Sequence, residues 1–273
     1  MGKVTVVGGA RAVEPSNLPP IGTALADCTP EEIQAIAQAG LAPSYWSVGD
    51  AIPITLNGTV GAVTFSNETY YAIIIGFDHN SDVEGKNTIH FQFAKTSAGV
   101  DVAFVDVDSA YYKSGSTAGF RMNTEEPNTG GWKSSYMRNT ICPAFKSAMP
   151  VEWQNVIVAC TKYTDNVGGG STASSNVTPT SDDIFLLSEF EVKGTEAFAN
   201  TAEKNYQKRY DYYTAGNSAK KYKHREATTT CAWFTRSVDY DSTHSWGIMF
   251  TSGTMAGTRS NISIGFAPAF VVG

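Results

Sequence analysis

Charge is scarce in this chain. Asp, Glu, Lys and Arg make up 17% of its 273 residues, and their balance is acidic at −6. That composition excludes the basic stripes with which nucleic-acid binders displace counterions. No apolar run reaches the ~18 residues of a membrane-spanning helix, so no membrane insertion is expected. No basic stretch followed by an apolar one opens the sequence, so no secretory signal is expected. The four cysteines, Cys28, Cys142, Cys160 and Cys231, are far apart and form no CxxC or Cys/His spacing, which removes support for a zinc site. Buried free thiols are the expectation, with a Cys142–Cys160 or Cys160–Cys231 bridge left open. No GxSxG elbow occurs, and Gly168–Gly170 is not followed by the Lys-Ser/Thr of a phosphate loop. Nothing here places the partner groups that catalysis needs, and the chain reads as neither an enzyme nor a cofactor carrier.

What is present is glycine, tyrosine and β-prone pattern. The 25 Gly and 13 Tyr, with hydrophobic residues at 42%, suit a loop-rich domain with a sizeable core. Residues 1–25 hold three prolines and read as an extended arm, either loose or docked on a neighbouring subunit. Residues 26–50 hold a short helix and connector. Thr29 is its N-cap, Pro30 its first residue and Gly40 its end, with Ile33, Ile36 and Ala37 on one apolar face. That helix packs on the domain or on a copy of itself, and with the arm it leads to the expectation of a homo-oligomer. Residues 51–273 form the main α+β domain. Ile52, Ile54 and Leu56 alternate ahead of an expected hairpin turn at Asn57-Gly58. Tyr71 to Ile75 reads as a central strand, and "TIHFQFA" and "VAFVDV" as further strands. "WKSSYMRNTICPAFKSAM" reads as helix interrupted or restarted at Pro143, "WQNVIVACTKYT" as buried strand, and residues 168–182 as a surface loop. "DIFLLSEFEVKG" reads as strand then short helix or turn.

Asp78, Asn80, Asp82 and Glu84 alternate in "DHNSDVEG", the spacing of oxygen ligands around calcium. The sixth and twelfth positions of an EF-hand loop are wrong, and a polar hairpin loop explains the same residues. Trp46, Trp132, Trp153 and Trp233 read as core. Trp246, among small polar residues, reads as exposed.

The closing stretch, 231–270, sets a patternless polar middle between apolar borders that include Trp233, Phe234, Ile264, Phe266 and Phe270. Its mixture of Tyr, Ser, Asn, His and Trp is that of a binding loop, although a long solvent-facing connection would have the same composition. Trp233, Arg236, Ser237, Gly265 and Pro268 stand in a W-x-x-R-S … G-x-x-P pattern. With that pattern the segment resembles C-type-lectin-like domains of the sulfatase-modifying-factor type. More narrowly, it is similar to the variable proteins of diversity-generating retroelements, common in gut bacteria and their phages. "YWSVGD", "AIIIGFDH", "WKSSYMRNTI" and "DDIFLLSEFEVKG" resemble a related family of gut-bacterial and phage virion-associated proteins, so the likeness spans roughly 40–273.

The resemblance implies a C-type-lectin-like fold and a receptor-binding adhesin on a phage tail tip, tail fibre or bacterial cell surface. Its ligand would be a bacterial surface protein or glycan, with other virion proteins as neighbours. Carried over by position, the ligand-binding residues would be Asp239, Tyr240, Asp241, Ser242, Thr243, His244 and Trp246, then Met249, Thr251, Thr254, Met255, Thr258, Arg259 and Asn261. The competing expectations are a purely structural virion protein and an enzyme of the modifying-factor type.

Overall fold

The computed structural model describes residues 18–97, 101–105 and 120–273. Most of the 1–25 arm and the last two residues of "VAFVDV" lie outside them. The described residues form a mixed α+β structure around one core cluster that runs from Leu25 to Val272. In chain order the helices are α1 (Pro30–Gln38), α2 (Ala42–Tyr45), α3 (Ser81–Glu84), α4 (Gly131–Ser134), α5 (Cys142–Ala148), α6 (Val151–Val156), α7 (Glu189–Lys193) and α8 (Asp211–Thr214).

The main sheet has the order β1-β2-β3-β13-β7, all neighbours antiparallel. Its strands are β1 (Ala51–Val60), β2 (Val63–Phe77), β3 (Ile89–Ala94), β7 (Ile184–Leu186) and β13 (Pro268–Val272). The chain's last strand therefore sits inside the sheet, between β3 and β7. Three small sheets complete the fold. β5 (Cys160–Asp165) pairs with β6 (Val177–Asp182). β4 (Val102–Ala103) lies parallel to β8 (Lys221–Lys223), which pairs with β9 (Glu226–Cys231). β10 (Trp233–Val238), β11 (Ser245–Met249) and β12 (Met255–Arg259) form an antiparallel meander.

Helix α1 forms as its signals dictate. Thr29 and Glu32 make a reciprocal capping box, Pro30 opens the helix and Gly40 follows it at φ +71°. Its apolar face is covered within the chain: Ile33 and Ile36 are buried, and α1 packs on α6 and β13. This removes the helix as a reason to expect a partner subunit.

Several expectations are corrected. Asn57-Gly58 is not a turn. Strands β1 and β2 continue to the pair Val60–Val63 and turn at Gly61-Ala62, because Val60, Val63 and Phe65 have core to bury. The register slips by one residue at Leu56/Asn57, where Asn67 takes φ 58° as the extra residue of a bulge. Residues Val151–Val156 are helix, and the strand starts only at Cys160, since Pro150 leads the helix as its N-cap. Residues 177–182 of the expected surface loop are strand β6, held by six pairs to β5. The middle of the closing stretch is regular: β11 and β12 run through it. All four cysteines are buried and free, and Trp46, Trp132, Trp153 and Trp233 are core as expected.

Candidate functional site

Strand β10 carries the W-x-x-R-S residues, and every one of its six side chains is buried. A buried guanidinium must have its charge and donors met. Arg236 grips Glu191 with both terminal nitrogens, at 2.5 and 2.8 Å. It also donates to Thr164 Oγ1 and the Leu186 carbonyl, each at 2.8 Å. Glu191 is placed by its own helix: with Ser188 it makes the capping box of α7. Lys162 of β5 completes the network, donating to Glu191 at 3.2 Å, to Glu84 at 2.5 Å and to the Tyr210 hydroxyl at 2.9 Å. Two buried cations thus face two buried carboxylates. Burial alone would raise the Glu191 carboxyl, but Arg236 and Lys162 outweigh it and hold it well below the usual range. At Glu84 burial dominates and pushes the carboxyl up, against the pull of Lys162.

Ser237 extends the same brace. Its hydroxyl donates to Glu203 Oε2 at 2.8 Å and accepts the Glu189 N–H at 3.1 Å. Glu203 also accepts the Asp165 N–H at 3.0 Å, and burial pushes its carboxyl up to about 7. Glu189 accepts the N–H groups of Ala197, Phe198 and Ala199. The motif residues therefore pin β10 to α7, β5 and the 195–207 segment.

The calcium spacing does not assemble. Asp78 accepts from the Thr88 N–H, Asn80 donates to the Tyr206 carbonyl, and Glu84 turns inward to Lys162. Glu84 instead meets His79, His90, Cys160 and Glu191, donors within 4.8 Å of one another in two overlapping groups. The Lys162 ammonium already serves as the cation of that cluster. The thiols are unsuited to nucleophilic work: burial pushes Cys231 up to about 12 and Cys160 and Cys142 well above their ordinary value.

Outward from this brace lies the closing segment. The turn after β10 is anchored by Asn128, a fully buried residue. Its amide donates to the Ser242 and Ser245 carbonyls at 2.8 and 2.9 Å, and its N–H donates to the Thr243 carbonyl at 3.0 Å. Its side-chain oxygen accepts the Gly169 N–H. Glycine is required beside it: at Gly168, φ +63°, a Cβ would meet the Asn128 carbonyl at 2.4 Å. Three loops, around residues 128, 168 and 242, are thereby cross-braced. The next turn, Phe250–Thr254, closes through Phe250 N–H to the Thr254 carbonyl with Gly253 at φ +83°.

On this frame Asp241, Thr243, His244, Thr254 and Arg259 are exposed, and Tyr240, Ser242, Thr251, Met255, Thr258 and Asn261 half-exposed. Arg259 pairs with Glu126 at 2.5 Å. Three expected ligand-binding residues are not on the surface. Trp246 has no exposed area, and its indole N–H donates to Ser260 Oγ at 2.9 Å. Met249 is equally buried. Both lie on β11, the middle strand of the meander, whose side chains are covered on both faces from Trp246 to Met249. Asp239 is buried beneath the turn, its Oδ1 without a hydrogen-bond partner; burial, then Asp241, pushes its carboxyl up to about 6.

A small apolar cleft of about 220 Å³ lies between Ile248, Phe250, Ala256, Thr258 and Ile262, of which only Thr258 is one of the expected ligand-binding positions. A larger cleft of about 440 Å³, elsewhere, is lined by charges already matched: Arg138 with Asp182 at 2.5 Å and Lys146 with Asp183 at 2.7 Å. Sequence reasoning missed Asn128, Lys162 and Glu191. Only Glu191 carried a signal, the Ser188-x-x-Glu191 spacing of a capping box.

The model of one family, described as a domain of unknown function (DUF6273), matches residues 109–273. No curated protein and no solved structure matches the chain.

Proposed function

The chain belongs to the DUF6273 family, and from that premise we propose that it is a non-enzymatic binding protein with a C-type-lectin-like fold. Its binding surface is the outer side of the closing segment: the 240–244 turn, the Phe250–Thr254 turn and the outward positions of β12 to Asn261. One observation carries this reading. Arg236 and Ser237 are sunk in a satisfied charge network, whereas eleven of the fourteen positions carried over as ligand-binding are exposed or half-exposed beside them. A rigid frame that presents exchangeable side chains is how a fold serves many ligands. The ligand is a bacterial surface protein or glycan. The setting is a phage tail tip or a cell surface, with the closing segment diversified by a retroelement. With α1 covered within the chain, the homo-oligomer rests on the arm, and its being a trimer on the analogy with phage fibres.

The test is attachment of the labelled chain to intact bacterial cells, read by flow cytometry. Tyr240→Ala, His244→Ala and Arg259→Ala should leave folding within about ±0.5 kcal/mol. At least one should weaken attachment by about 1–2 kcal/mol or more. Attachment unchanged in all three would refute the assignment of this surface.

A further inference from the structure

A second buried charge contact lies apart from the Arg236 network. Asp101 and Lys221 begin the parallel pairing of β4 with β8: Val102 is opposite Tyr222, and the Tyr222 N–H donates to the Asp101 carbonyl at 3.0 Å. Their side chains meet beside that bond, with Lys221 Nζ 3.3 Å from Asp101 Oδ1 and both buried. The Trp233 ring lies 5.9 Å from Nζ, Cys231 faces Lys221 across β8–β9, and the Tyr212 hydroxyl is hydrogen-bonded to Asp101. These neighbours are aromatic or neutral.

The contrast with Lys162 is informative. Burial works against the Lys162 charge, yet Cys160, Glu191 and Glu84 outweigh it and keep its ammonium protonated. An ammonium has no lone pair with which to attack. At Lys221 burial prevails over the pull of Asp101 and lowers the amine. At Asp101 burial prevails over Lys221 and raises the carboxyl. Both partners are moved toward an uncharged amine and an uncharged carboxylic acid in contact. Held contact of this kind replaces the entropy that a bimolecular condensation must lose.

We propose that Asp101 and Lys221 are the site of an intramolecular isopeptide bond that joins β4 to β8. The Lys221 Nζ lone pair attacks Asp101 Cγ, and a C–N bond forms. The C–O bond to one carboxyl oxygen breaks. That oxygen leaves as water, carrying the acid proton and one proton from the nitrogen. The Tyr212 hydroxyl polarises the carboxyl and relays the proton. Atoms and electrons balance without an oxidant or co-reactant. The product removes a buried amine and a buried acid, whose charged forms are costly to desolvate. It also locks a parallel pairing only two residues long on each strand, which so few hydrogen bonds hold weakly.

The experiment is the intact mass of the full chain under denaturing conditions, followed by peptide mapping. The wild-type mass should fall below that of the sequence by one water. A branched peptide should join the segments that contain Asp101 and Lys221. Lys221→Arg, whose guanidinium does not condense, should restore the full mass whether or not it folds. A wild-type mass without the water loss overturns the proposal. So does a water loss that persists in Lys221→Arg.

Discussion

Replacement of Trp246 by alanine separates a core strand from a binding loop. The indole has no exposed area. A buried tryptophan removes ~200 Å² from water, worth ~5 kcal/mol at ~25 cal/mol per Å². Measured truncations of this kind cost about 3–5 kcal/mol, because the cavity relaxes only in part. The hydrogen-bond loss adds little. Ser260 Oγ loses the indole donor but keeps its own donation to the His244 carbonyl at 2.7 Å. We therefore expect Trp246→Ala to cost about 4 kcal/mol, which for a chain of this size lowers Tm by about 8–15 °C. Urea unfolding followed by far-UV circular dichroism reads it, with an unchanged m-value as the check that only stability moved. Tyr240→Ala in the neighbouring turn is the paired control and should stay within about ±0.5 kcal/mol. Equal, small effects at both positions would refute the reasoning, since Trp246 would then contribute nothing as core.

Arg236→Ala should cost at least about 3–5 kcal/mol, because it strands Glu191 beside Lys162 alone in the interior. A double-mutant cycle with Glu191→Ala should show strong coupling. Asp239 gives a pH signature. Its folded carboxyl titrates near 6 against an ordinary 3.8, so the folded state binds the extra proton. Its contribution is therefore full below about pH 4 and is lost as pH rises to about 6. Asp239→Asn should gain Tm relative to wild type across that window, and parallel Tm profiles would contradict this. Added calcium or a chelator should leave Tm unchanged, because the side chains of Asp78, Asn80 and Glu84 bond to three different partners.

Local signals in the sequence were legible where the structure is local. Thr29, Pro30, Glu32 and Gly40 describe α1 almost residue by residue, and "DIFLLSEFEVKG" holds the strand and helix read from it. Errors arose where burial overrode a local preference. Asn57-Gly58 favours a turn, yet Val60 and Val63 extend the strands past it. Trp246 was judged by the polar company it keeps, whereas its place is set by pairing with Val238 and Thr258 on the flanking strands. The charge network was illegible for a different reason. Lys, Glu and Arg are surface residues by default, and Glu84, Lys162, Glu191 and Arg236 meet only after four distant segments fold together. In the closing stretch, composition does not separate the eleven exposed or half-exposed positions from the buried Asp239, Trp246 and Met249, because β11 and β12 run through it.

The central claim is that the fold makes little use of the side chains at the outward positions of the closing segment. A library randomised at Tyr240, Asp241, Thr243, His244, Thr254 and Arg259, displayed and selected only for protease resistance, measures this directly. Most members should fold, with no residue enriched at these positions, while a matched library at Trp233, Arg236, Ser237 and Trp246 should return almost only the native residues. Equal intolerance in the two libraries would contradict it.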